Sequence, residues 1–132
     1  MKYKEFYIED NNGKSNCVIR SFAKLYNMKY EEVESELMGI ALEHNLNFND
    51  IEVFESFMRR RDTTIVNYGK DIKVKDLELD SGNYIVFCYD KKDFYHMACI
   101  IDNVLYDKNS DSLDLYTISV YKEKVKTKKK ES

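Results

Sequence analysis

The sequence predicts an α+β domain in which N-terminal helices pack on a C-terminal antiparallel sheet. Apolar residues recur at helical spacing three times before Asp62, and short β-branched and aromatic runs separated by turn residues follow it. The 132 residues contain no proline and only four glycines, with no repeat or low-complexity linker to divide them. A single domain over residues 1–121 is therefore predicted. Residues 122–132, crowded with Lys122, Lys124, Lys126, Lys128, Lys129 and Lys130, read as a solvated, disordered tail.

Taken in order, residues 1–15 read as irregular, with Asp10-Asn11-Asn12-Gly13 as a turn. Ser15 or Asn16 then N-caps a helix to about Asn27, whose inward face is Val18, Ile19, Phe22, Leu25 and Tyr26. A second helix spans about Tyr30–His44, with Glu31 and Glu32 favourable to its dipole and Val33, Leu37, Ile40 and Ala41 inward. The third runs from Asn49 or Asp50 to Arg60, burying Ile51, Phe54, Phe57 and Met58. Its last turn holds the cations Arg59-Arg60-Arg61. After Asp62, Thr63–Val66 reads as a short strand and Asp71–Leu79 is ambiguous. Asn83–Tyr89, Tyr95–Ile101, Val104–Asp107 and Leu113–Tyr121 read as strands, with Asp90–Asp93 and Asp102-Asn103 as hairpin connections.

Composition removes several function classes. At 43% hydrophobic and 14% aromatic the chain is too apolar to be disordered; its mean hydropathy of −0.61 reflects abundant Lys, Glu, Asp and Asn. A net charge of −3 gives no global field for nucleic acid or an anionic membrane. The arginine triplet and the lysine tail leave a nucleic-acid partner as a minor reading only. No apolar run approaches the roughly 20 residues of a membrane span, and MKYKEFYIED has no signal-peptide core, so a cytoplasmic location is expected. Three cysteines without a CxxC pair argue against a disulfide scaffold and a zinc site.

The question is then whether a cysteine is reactive. Cys17 falls in the first turn of helix one, where unpaired N–H groups and the dipole favour a thiolate. Cys88 and Cys99 lie within apolar strand runs and read as core. Of the two histidines, His44 ends helix two, where a cation suits the dipole. His96 lies in a strand beside a hairpin. If Asp102-Asn103 is a two-residue turn, Ile101 pairs with Val104. His96, Ala98, Asp107 and Asn109 then share one face, with His96 diagonal to Asp107. Asp107 is the candidate to orient the imidazole, and Asn109, directly opposite His96, is the reserve.

A helix opening Asn16-Cys17-Val18-Ile19-Arg20-Ser21, followed by NYIVFCY and then FYHMACIIDNVLYD, resembles the papain-like cysteine peptidase superfamily. It is most similar to short uncharacterised papain-like proteins of bacteriophages and low-GC bacteria. The resemblance covers roughly residues 10–110. It implies a papain-like, cysteine-proteinase-like fold and a triad in the order Cys17, His96, Asp107. It also implies an amide donor to the oxyanion a few residues before the cysteine, a position that Asn11 occupies. The implied function is a thiol hydrolase or acyl transferase of peptidase or amidase type, acting on a peptide, protein or other amide. Such cysteine-based acyl transfer needs no metal or organic cofactor. The alternative is a catalytically inactive member serving as a protein-binding module, for example a phage protein engaging a host protein. The eleven tyrosines and seven phenylalanines suit either an interface or a core without tryptophan.

Overall fold

Asn16 opens the first helix as its side-chain oxygen accepts the Val18 and Ile19 amide hydrogens, at 2.8 and 3.2 Å. This helix, α1 (Cys17–Tyr26), ends at Asn27, whose φ of 55° turns the chain left-handed while the Met28 amide returns to the Ala23 carbonyl. Helices α2 (Tyr30–Glu43) and α3 (Ile51–Arg59) follow, close to their predicted bounds, and Asp50 caps α3 through the Glu52 amide. The computed structural model describes residues 1–66 and 71–124.

Six strands form one sheet: β1 (Lys2–Glu5), β2 (Thr63–Val66), β3 (Asn83–Tyr89), β4 (Tyr95–Ile101), β5 (Val104–Asp107) and β6 (Tyr116–Glu123), in the order β1-β5-β4-β3-β6-β2. The fold is α+β, as predicted, but the sheet is mixed. Strand β1 lies in the segment read as irregular and pairs parallel to β5, Lys2 against Val104 through Glu5 against Asp107. Four residues with alternating lysines carry too little apolar signal to mark a strand; their partner supplies it. The ambiguous stretch after residue 70 holds a 3₁₀ turn, Val74–Asp76, and a second turn, Asp111–Asp114, precedes β6. Strand β6 reaches Glu123, two residues past the boundary drawn from composition, and the lysines beyond Lys124 lie outside the described residues.

Both faces of the central strands are covered, which explains why NYIVFCY reads as a continuous apolar run. One core joins the helices to Ile85, Met97, Cys99 and Tyr121; the other packs Tyr84, Val86, Cys88, Ala98, Ile100 and Leu105 under Val74 and Leu77. Cys88 and Cys99 are wholly buried, in keeping with a core role. Helix α1 is the central one, buried along nearly its whole length, Arg20 and Ser21 included. The arginines after α3 are largely spoken for: Arg60 and Arg61 both meet Glu36, and Arg61 also lies over the Phe57 ring. Among the described residues no helix is long and apolar enough to cross a membrane.

Phe57 is fully buried and stacks on Phe22 with centroids 4.5 Å apart. Phe57→Ala, read by urea unfolding, should destabilise the fold by about 3–5 kcal/mol.

Candidate active site

The β4–β5 hairpin turns on Asp102 and Asn103, with φ of 48° and 65°, and Ile101 opposes Val104, Ile100 Leu105 and Cys99 Tyr106. Positive φ at both central residues is the two-residue turn expected there. Strand β4 overhangs β5 at the other end, so His96 stands past the last paired rung. Its Nε2 lies 2.5 Å from Asp107 Oδ2. Asn109, the reserve candidate, instead accepts the Asp111 amide in the turn that follows.

The imidazole nitrogen left free by Asp107 is Nδ1, and Cys17 and His96 line the same cleft, near enough for each to shift the other's pKa. Cys17 is half-buried at the opening of α1, as its position after an Asn-Gly turn predicts. The structure therefore places Cys17 in one cleft with His96 and bonds His96 to Asp107. Phe94 stacks against the outer side of the His96 ring, 5.9 Å between centroids, and limits its rotation.

Burial disfavours a charged Cys17, but the hydrogen bond and charge of His96, the Met97 amide and the charge of Arg20 bring its pKa below that of an ordinary thiol. Burial also opposes an imidazolium at His96. The hydrogen bonds and charges of Asp107 and Cys17 outweigh it and raise His96 to about 9. Asp107 is held below its usual range: burial pushes it up, but His96, Ser112 Oγ and the Lys108 amide pull it down further. Burial alone drives the Cys88 and Cys99 thiols well above the ordinary range, with small charge effects in addition.

Asn11 stands apart from this site. It is exposed in a turn closed by the Asp10 amide on the Lys14 carbonyl, and it does not line the cleft at Cys17. The Asp10 carboxylate ties that turn further by accepting the Asn12 and Lys14 amides. The side-chain amides lining the cleft are those of Asn16 and Asn49. Asn16 uses its oxygen for capping, which leaves its NH₂ group unspent. Among the described residues the Cys17 amide has no protein acceptor. The cleft, about 420 Å³, is otherwise walled by Val18, Phe54, Phe87, Tyr95 and Met97, so among the described residues its titratable side chains are the Cys17 thiol, the His96 ring and the Tyr95 phenol.

Sequence reasoning also passed over Arg20, Ser15 and Ser112, which support Asp107 from outside the triad. One signal was present: a cation in the first turns of a helix opposes the dipole and calls for a partner. His44 sits exposed at the end of α2, 3.8 Å from the Glu43 carboxylate and away from the site. Among the described residues no group of three His, Cys, Asp or Glu side chains is placed to hold a metal ion. No family model, curated protein or solved structure matches this chain.

Iodoacetamide labelling across a pH series, resolved by peptide mass spectrometry, should find Cys17 alone reactive in the folded protein. Because the thiolate is the favoured form, its rate should rise at a pH below that of a free thiol, about 8.5. His96→Ala should return the profile to the free-thiol range.

Proposed function

We propose that the protein is a cysteine-dependent hydrolase or acyl transferase of papain-like type, with Cys17 as nucleophile, His96 as acid and base, and Asp107 as the group that orients His96. The observation that carries this reading is the placement of the Cys17 thiol and the His96 imidazole in one cleft, with the imidazole bonded on its other side to the buried Asp107 carboxylate. Thiolate Cys17 attacks a carbonyl carbon, forming a tetrahedral oxyanion. The imidazolium of His96 gives its proton to the leaving group as that bond breaks, which leaves an acyl thioester and a neutral imidazole. His96 then takes a proton from water or another acceptor, whose oxygen or nitrogen attacks the thioester and releases Cys17. Asp107 holds the Nε2 proton throughout and stabilises the charged ring.

The Cys17 amide and the NH₂ of Asn16 or Asn49 suit the oxyanion better than Asn11, since they line the cleft. Removing one such donor typically costs about 100–1,000-fold in rate. The apolar walls favour an uncharged amide, ester or thioester.

Hydrolysis of p-nitrophenyl acetate should show a burst stoichiometric with protein followed by slower turnover. Cys17→Ala should remove both while Cys88 and Cys99 stay protected from labelling. Asp107→Asn should lower the rate by up to about 10⁴-fold without abolishing it. A Cys17→Ala variant as active as wild type would remove the proposal.

A further inference from the structure

The triad continues one residue further, into the helix that carries the nucleophile. Arg20 lies one turn after Cys17 on α1, and its guanidinium is buried against the far side of Asp107, Nη2 3.3 Å from Oδ1. Its Nη1 donates to Ser15 Oγ at 2.8 Å, and Ser15 in turn donates to the Ile8 carbonyl at 2.7 Å. The two carboxylate oxygens are thus divided. Oδ2 faces His96 and accepts from Ser112 Oγ at 2.8 Å; Oδ1 takes Arg20 and the Lys108 amide.

Stability alone is a poor reason for this cation. A buried ion pair seldom stabilises more than apolar packing of the same volume, and here the buried Arg20 Nε has no partner. Its charge does complete a pattern. Thiolate, imidazolium, carboxylate and guanidinium alternate in sign along the row Cys17, His96, Asp107, Arg20. The row is neutral as a whole, whereas the first three alone carry a net negative charge into a buried site.

We propose that Arg20 is a positioning residue for the reaction, offsetting the charge of Asp107 so that Cys17 can hold a thiolate at neutral pH. The inference rests on the proposed Cys17–His96–Asp107 chemistry. Arg20 touches no substrate; it acts through Asp107 and through its field on the thiol. Among the described residues the other groups facing the row leave Arg20 the one balancing cation. From β3 comes the Cys88 thiol, kept neutral by burial, and from β1 the Tyr3 hydroxyl, which donates to the Asp107 carbonyl at 3.0 Å. The remaining close donors, the Met97 and Lys108 amides, are uncharged. Lys108 itself is exposed.

The test is the labelling profile of Cys17 in Arg20→Met, Arg20→Gln and Arg20→Lys, with protection of Cys88 and Cys99 as the record of folding. Arg20→Met should move the Cys17 midpoint up by about 1 in pH, the scale of a neighbouring buried charge. Arg20→Lys, which keeps the charge, should stay near wild type, and Arg20→Gln, which loses the charge but keeps a polar side chain, should shift as Arg20→Met does. Should Arg20→Met expose the core thiols, Arg20→Gln against Arg20→Lys decides in the same way. A folded Arg20→Met with the wild-type midpoint overturns the inference while leaving the triad intact. An upward shift in Arg20→Lys equal to that in Arg20→Met also overturns it, by assigning Arg20 a role of shape. A wild-type Cys17 that titrates as a free thiol would instead remove the underlying proposal.

Discussion

The carboxylate of Asp107 is the point on which the site depends. It orients His96, takes the buried Arg20 of α1, and accepts from Ser112 and the Lys108 amide. Its backbone carbonyl accepts the Phe6 amide at 2.8 Å and the Tyr3 hydroxyl, so β1 is fastened to the same residue. Helix, hairpin and edge strand are therefore referenced to one residue. A buried carboxylate this well supplied with donors stays ionised despite desolvation, and that negative charge is what makes an imidazolium affordable next to it.

The fold serves this arrangement by leaving rungs unfilled. Strand β5 is short, so β4 overhangs it and His96, paired on one side with Cys88 of β3, has no strand partner on the other. Helix α1 meets β4 at that end with its first turn, the part of a helix best suited to a thiolate. Asn16 satisfies two of the opening amides and spares that of Cys17. The pre-aligned hydrogen-bond donors, rather than any movement, account for the electrostatics of the cleft.

How much of this was legible depended on how local each determinant is. The start of α1, its end near Asn27 and the Asp102-Asn103 turn are decided by a few adjacent residues, and each was readable. From that turn the register of β4 and β5 followed, and with it the shared face of His96 and Asp107. Strand β1 was not readable, because its pairing is set by β5 a hundred residues away and not by its own pattern. Asn11 was assigned through the papain-like resemblance, and a tight, self-bonded turn holds it away from the cleft. Arg20 was visible as an oddly placed cation, but only the fold reveals Asp107 as its partner.

Whether the thiol has given its proton to His96 is read most directly by a pH titration of His96 by ¹⁵N NMR of histidine-labelled protein, with His44 assigned by substitution. The expected result is an imidazolium at neutral pH, both ring nitrogens protonated, that gives up its proton near the raised value of about 9. A His96 ring that is neutral at pH ~7.5 and titrates in the ordinary imidazole range, near about 6.5, would contradict it.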